Sequence, residues 1–229
     1  MEKVTPRFDI YVKCASDGKS VGDCPFSQRV CMVAILKIPT DLFCIIPVDI
    51  SNKPEAFLKL NPDGTVPVLV DRSDKQMISD SGKIVQYIDS LFLDPDVRVG
   101  YTGPARDATD AVFGKLAAWL KDSRLDQTEK LRSALTAELS KCNDYLSSVS
   151  DGFLLGDSLC DLDCSVLPKL RHVQVAGNYF RNFDIPEHHS ALLGYIRRGE
   201  ATDVFKQTCP EDREIIHGWA QHGVTVLNK

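Results

Sequence analysis

The sequence predicts two structural units in series, an α/β unit at the N-terminus and an all-helical unit after it. Three observations carry this. Runs of β-branched and aromatic residues that read as strands occur before residue 80 and not after it. A stretch over 92–106 containing Pro95, Gly100, Gly103 and Pro104 reads as a linker. Beyond it, apolar residues recur at helical spacing alone. The expected boundaries are 1–91 for the first unit, 92–106 for the linker and 107–229 for the helical unit.

The first strand is Phe8–Val12, and an apolar helix over Ser27–Lys37 follows it. Leu42–Val48 is the second strand, with Pro47 marking a strand end or a sheet edge. Strand, helix and strand make a βαβ unit, hence a parallel pair. A short helix covers Lys53–Leu58, and Pro62-Asp63-Gly64 makes a turn. Val66-Pro67 opens a strand at Val68–Asp71, with Gln76–Ile78 as its antiparallel partner. About 5–6% of X–Pro bonds are cis, so the residues alone leave the isomer at Pro67 open. Asp80 or Ser81 caps a helix carrying Ile84, Val85, Ile88 and Leu91 at helical spacing. The resulting order, β-α-β-α-β-β-α, resembles a thioredoxin-like domain.

In the second half, Val112, Phe113, Leu116, Ala117 and Leu120 mark one helix, and Leu131, Leu135, Leu139, Cys142 and Leu146 another. Ser158 and Asp161, three apart, read as a capping box for a helix carrying Leu162 to Val173, which Pro168 should kink. Shorter helices follow at 191–197 and 203–207, and Pro210-Glu211-Asp212 opens a last one through Trp219.

Composition narrows the function. With 229 residues and 43% hydrophobic residues a sizeable core forms. A net charge of −5 without a basic stripe argues against nucleic-acid binding. Eight cysteines in a chain of this length are not a disulfide framework, and no leader sequence is evident. Reduced thiols and a cytoplasmic location are therefore expected. No stretch reaches the roughly 20 apolar residues of a membrane span. The nearest, 30–48, is broken by Lys37, Pro39, Asp41 and Pro47.

The chemistry concentrates in Gly22-Asp23-Cys24-Pro25-Phe26-Ser27-Gln28-Arg29. Cys24 falls where the loop leaving the first strand meets a helix, and Pro25 suits the first helical turn. The unpaired N–H groups and positive dipole end of that helix face residue 24. Such settings bring thiol pKa values from about 8.5 towards roughly 3.5–7.5, and thiolate is the nucleophile. A two-cysteine redox loop would carry Cys at position 27, but Ser27 stands there, so an external thiol has to resolve Cys24. The structural alternative is an ordinary buried cysteine.

The octapeptide resembles the active-site segment shared by glutathione-dependent dehydroascorbate reductases and chloride intracellular channel proteins, both relatives of the omega-class glutathione transferases. Ser51-Asn52-Lys53-Pro54, Pro62-Asp63-Gly64-Thr65-Val66-Pro67 and Ile215-Ile216-His217-Gly218-Trp219 are more similar to the reductases, while Leu167-Pro168-Lys169-Leu170 is similar to both. The likeness spans nearly the whole chain and implies the glutathione-transferase architecture. It also implies Cys24 as nucleophile, forming a mixed disulfide with the co-substrate glutathione, and no metal. Phe26, Lys53, Val66, a cis Pro67, Asp80 and Ser81 would hold glutathione, with Lys53 at the glycyl end and Asp80 and Ser81 at the γ-glutamyl end. Lys13 and Asp23 would orient dehydroascorbate. A monomer without nucleic-acid or membrane partners is expected. The tail, Val224–Lys229, and the nearby thiols Cys31 and Cys44 depart from the reductase pattern.

Each residue also has a structural reading. On the residues alone, Lys13 is a solvated strand-end lysine and Asp80-Ser81 a helix cap. His172 packs in the core rather than facing the cleft, His188-His189 lies in an exposed loop, and Trp219 anchors the tail. Cys160 and Cys164 share a helix face with acidic neighbours, but not at zinc spacing. Two alternative functions share the motif: a channel-like, membrane-associating protein, and a general glutathione-dependent thioltransferase.

Overall fold

The computed structural model describes residues 5–149 and 152–227. Its N-terminal half contains β1 (Phe8–Lys13), α1 (Pro25–Lys37), β2 (Phe43–Val48), α2 (Glu55–Leu60), β3 (Val68–Asp71), β4 (Gln76–Ser79) and α3 (Ser81–Leu91). The strands form one sheet in the order β2-β1-β3-β4. β1 pairs with β2 in parallel, Ile10 opposite Ile45, and with β3 antiparallel, Ile10 opposite Leu69. β3 and β4 are antiparallel. Pro47 lies on the edge strand β2, where its missing N–H leaves the ladder intact.

The helical half comprises α4 (Pro104–Thr109), α5 (Val112–Lys121), α6 (Thr128–Ser148), α7 (Asp161–Arg181), α8 (Ser190–Ala201), α9 (Asp203–Thr208) and α10 (Asp212–Gln221). α4 begins inside the stretch read as linker, because Pro104 suits a first helical turn as well as a loop. The Val66–Pro67 bond is cis, and so is Asp94–Pro95.

α1 explains how the halves join. Val30, Cys31, Met32, Val33 and Ala34 are all buried, so no face of its middle turns is free. A helix that is apolar all round has to be covered all round. The sheet lies on one side, and α3, α7 and α9 pack on the others. One continuous core results, running from Phe8 and Ile10 through α1 to Leu116 and Leu167. A smaller cluster of Val48, Phe57 and Val68 sits elsewhere, where Phe57 of α2 meets the sheet.

Two expectations shift. The α7 capping box lies two residues later than the sequence suggests, with Cys160 as N-cap and Asp163 accepting its N–H at 2.8 Å. Asp161 is unavailable for the cap because Arg29 holds its carboxylate through two bonds of 2.8 and 2.7 Å. Pro168 sits in α7 without interrupting the helical run. The 30–48 region is the body of α1, a turn and β2. Among the described residues no helix is long and apolar enough to cross a membrane.

Candidate active site

β1 ends at Lys13, and the chain loops back so that the Gly22 N–H donates to the Lys13 carbonyl at 2.7 Å. A Cβ on Gly22 would lie 2.2 Å from the Cys14 carbonyl oxygen, so no other residue permits this return. Cys24 then caps α1 in an extended conformation (φ −67°, ψ 112°), with Pro25 in the first turn. Its carbonyl accepts the Gln28 N–H at 3.0 Å. The Cys24 side chain is half-buried and lines a cavity of about 380 Å3 where the two halves meet.

The structure gathers Lys13, Asp23, Cys24, Phe26, Lys53 and Val66 around this cavity. Lys13 is a correction to the solvated reading: it is 7% exposed, and its Nζ lies 2.7 Å from Asp23 Oδ1. β1 is an interior strand, so its end runs under the loop rather than into water. Gly218 of α10 makes room for the pair, since a Cβ there would sit 1.9 Å from Asp23 Oδ2. Phe26 stands at the rim, 42% exposed and edge-on to Phe113. Gly64, at φ +61°, turns the chain beside Lys53, and a Cβ there would lie 2.8 Å from Lys53 Nζ.

Asp80 and Ser81 stand outside this cavity's wall, at the start of α3. Asp80 Oδ1 accepts the N–H groups of Gly82 and Lys83 at 2.9 and 3.1 Å, the cap read from the sequence. Its φ of +84° is uncommon for a non-glycine residue. Ser81 is buried, its Oγ 3.4 Å from Arg29 Nη1. Pro67 follows Val66 across the cis bond.

His172 is buried, as the packing reading expects, but it lines the cavity as well, so packing does not take it out of the cleft. Its Nδ1 accepts from Trp219 Nε1 at 3.0 Å, which places the proton on Nε2, and Nε2 donates to the Asp23 carbonyl at 2.8 Å. Burial pushes this imidazole down to about 4, so it is neutral near pH 7. Trp219 holds the tail as expected, accepting the Val224 N–H at 3.2 Å, and lines the cavity too. His189 is buried against Ser140 Oγ at 3.0 Å, not in an exposed position as the sequence suggested, while His188 is exposed.

The remaining wall comes from residues that sequence reasoning missed as site residues. Phe113 and Ala117 belong by their spacing to the apolar stripe of α5, and Lys121 and His222 carry no local signal. They line the same cavity as the thiol only because the helical half packs onto α1.

The other thiols are held in check. Cys31 is sealed, and burial pushes it up to about 12. Cys44 donates to Asp9 Oδ1 at 2.9 Å, and burial followed by that carboxylate pushes it up to about 11. Cys160 and Cys164 are buried, and no group of three potential metal ligands occurs among the described residues.

Comparison with known proteins agrees with this architecture. Residues 6–95 match the family described as CLIC-like N-terminal domain. The chain is similar to the dehydroascorbate reductase of Chlamydomonas reinhardtii, with a TM-score of 0.83 and 27% identity over 94% of this chain and 98% of that one. It also shares its fold with the CLIC homologue EXC-4 from C. elegans (TM-score 0.82, 22% identity, 95% and 82% covered). Glutathione transferase Omega 3C from Trametes versicolor has the same fold (TM-score 0.75, 16% identity, 96% and 93% covered). The fold is thus that of the glutathione transferases, a thioredoxin-like unit followed by helices.

Proposed function

We propose that this protein reduces dehydroascorbate to ascorbate with glutathione, through a mixed disulfide on Cys24. The observation that carries the reading is the position of Cys24: N-cap of a thirteen-residue helix, half-buried, and opening into the cavity between the halves. The positive end of the α1 dipole favours an anion there. Similarity to a dehydroascorbate reductase over most of both chains supports the choice of substrate.

The Cys24 thiolate attacks a carbonyl carbon of dehydroascorbate, giving a thiohemiketal. A first glutathione thiolate attacks that sulfur. The carbon–sulfur electron pair leaves with the substrate, which takes up protons and departs as ascorbate, and Cys24 remains bonded to glutathione. A second glutathione attacks the mixed disulfide, releasing oxidised glutathione and the thiolate. Two glutathiones supply the two electrons that ascorbate gains. Ser27 provides no internal thiol to intercept the intermediate, so kinetics are ping-pong. In this scheme Lys53 meets the glycyl carboxylate, the Val66 backbone pairs with the glutathione cysteine beside Pro67, and Phe26 covers it. Asp80 and Ser81 meet the γ-glutamyl end, and the Lys13–Asp23 pair orients dehydroascorbate. The protein acts in the cytoplasm as a monomer.

Glutathione-dependent ascorbate formation by wild type, Cys24→Ser and Cys24→Ala tests this. Turnover requires the thiol, and retention of most activity in either variant rejects the scheme. Parallel assay on a small mixed disulfide separates a dehydroascorbate reductase from a general thioltransferase with the same site.

The match of residues 6–95 to the CLIC-like N-terminal domain favours a second reading, a membrane-associating form. It would have to draw buried α1 residues such as Val30 and Met32 out of the core. Lys37 and Asp41 would each cost about 2.5–3.5 kcal/mol near a bilayer centre. Liposome binding under oxidising conditions would support that form.

A further inference from the structure

Three parts of the chain meet on Asp23, the residue just before the thiol. Lys13 of β1 pairs with its carboxylate at 2.7 Å. Gly218 of α10 leaves the space that this carboxylate fills. His172 of α7 donates from Nε2 to its carbonyl at 2.8 Å. The first contact comes from the N-terminal half and the other two from the helical half. The carbonyl matters most for Cys24, because its oxygen belongs to the planar peptide that continues into the Cys24 amide. Fixing that plane fixes the direction in which the Cys24 Cα carries its thiol out of the loop.

A histidine and a cysteine lining one cavity suggest a base and its nucleophile. The hydrogen bonds assign His172 differently. Trp219 Nε1 can only donate, and it donates to Nδ1 at 3.0 Å. The ring proton therefore sits on Nε2, facing the Asp23 carbonyl, which can only accept. Neither nitrogen has a lone pair left for the thiol proton. The ring is also held in place, edge-on to Phe113 with centroids 5.7 Å apart. Burial is the largest influence on its charge and keeps it neutral near pH 7; Asp23 pulls the other way, and Lys13 adds to burial. Protonation would set a second ring N–H against the Trp219 N–H and break the arrangement.

The bond to the carbonyl acts on charge as well as direction. A carbonyl oxygen is the negative end of its dipole. This one stands a single peptide unit from the carbon that bears the sulfur. Unpaired, it would oppose a thiolate; paired with Nε2–H, much of that opposition is offset.

We propose that His172 is a positioning residue for the thiol: through the Asp23 carbonyl it sets both the direction and the ionisation of Cys24. The nucleophile of the N-terminal half is then switched on by a residue of the helical half. His172 itself takes no proton from Cys24 and acts only through the peptide. This rests on Cys24 as the reactive thiol of the reading above.

The test is the rate at which iodoacetamide alkylates Cys24, read by peptide mapping between about pH 5.5 and about pH 10, in the full chain and in His172→Phe and His172→Gln. Phenylalanine fills the space and donates nothing. Glutamine offers an amide N–H close to where Nε2 stands. In His172→Phe the rate at the acid end, relative to the alkaline plateau, should fall about threefold to tenfold, the range of one hydrogen bond, and His172→Gln should recover to within about twofold of the wild type. An unchanged ratio in His172→Phe overturns this inference alone. So does a glutamine variant as impaired as the phenylalanine one, which is the result expected of a base. Where His172→Phe fails to fold, nitrogen NMR of the wild-type imidazole decides. A neutral ring with its proton on Nε2 across the same pH range supports the assignment; a proton on Nδ1, or a ring that titrates together with Cys24, overturns it. A wild-type Cys24 whose profile matches that of free cysteine overturns the proposed function, and this inference with it.

Discussion

Cys24 and Cys160 occupy the same formal position. Each is the N-cap of a long helix, α1 and α7, and each has an extended backbone there. The helix behind Cys160 is the longer, twenty-one residues against thirteen. Yet Cys160 is 2% exposed, and burial followed by the Asp163 charge pushes its thiol well up. Cys24 is half-buried at a cavity, with the Lys13–Asp23 pair beside it. A helix dipole alone therefore does not make a nucleophile. Access for a second thiol and the charges nearby decide it.

Exchanging the two thiols gives the largest contrast. Cys24→Ser should lose about a thousandfold or more of glutathione-dependent turnover, as nucleophile removal does elsewhere. Cys160→Ser should change kcat/KM less than about threefold, because no wall of the cavity contains it. Equal losses in both variants would break the comparison.

At the α7 start the stakes are structural. Asp163 accepts from the N–H groups of Leu154 and Cys160 and from the Tyr195 hydroxyl, at 3.0, 2.8 and 2.8 Å. Asp163→Ala leaves three buried donors without an acceptor and should cost about 3–5 kcal/mol in urea unfolding. A loss below about 1 kcal/mol would mean that the cap is replaceable.

Around Cys24, pH should act instead through His172. Its folded value, about 4, lies below the ordinary 6.5, so between these pH values the unfolded chain binds a proton that the folded chain does not. Stability should fall as pH drops through that window, by on the order of 3 kcal/mol in total, and the decline should be shallower in His172→Gln. An unchanged slope in the variant would remove His172 as the cause.

A smaller effect is expected at Gly218. Gly218→Ala would press a Cβ into the Asp23 carboxylate and disturb its pair with Lys13. Overpacking of this kind costs about 1–3 kcal/mol, and KM for dehydroascorbate should rise several-fold while glutathionylation of Cys24 persists.

The same contrast shows what was legible in the chain beforehand. The α1 start was readable because Pro25 and the preceding strand are local signals. All four strands among the described residues fall where the sequence places them, since β-branched and aromatic runs and the turn residues that bound them lie close together in sequence. The α7 start was misplaced by two residues because Asp161 answers to Arg29, 132 positions away, rather than to its own backbone. Lys13 looked solvated for the same reason: Asp23 is near in sequence, but Gly218, which lets that carboxylate fit, is not. Phe113, Ala117, Lys121 and His222 lie beyond local reasoning, since contact between the halves alone brings them to the cavity that Cys24 lines.

The most direct test of Cys24 as the reactive thiol is peptide mapping after brief exposure of the native protein to oxidised glutathione. One glutathione per chain should appear, on the peptide containing Cys24, and added reduced glutathione should remove it. Modification of Cys160, Cys31 or Cys44 in preference to Cys24, or none at all, would contradict the account.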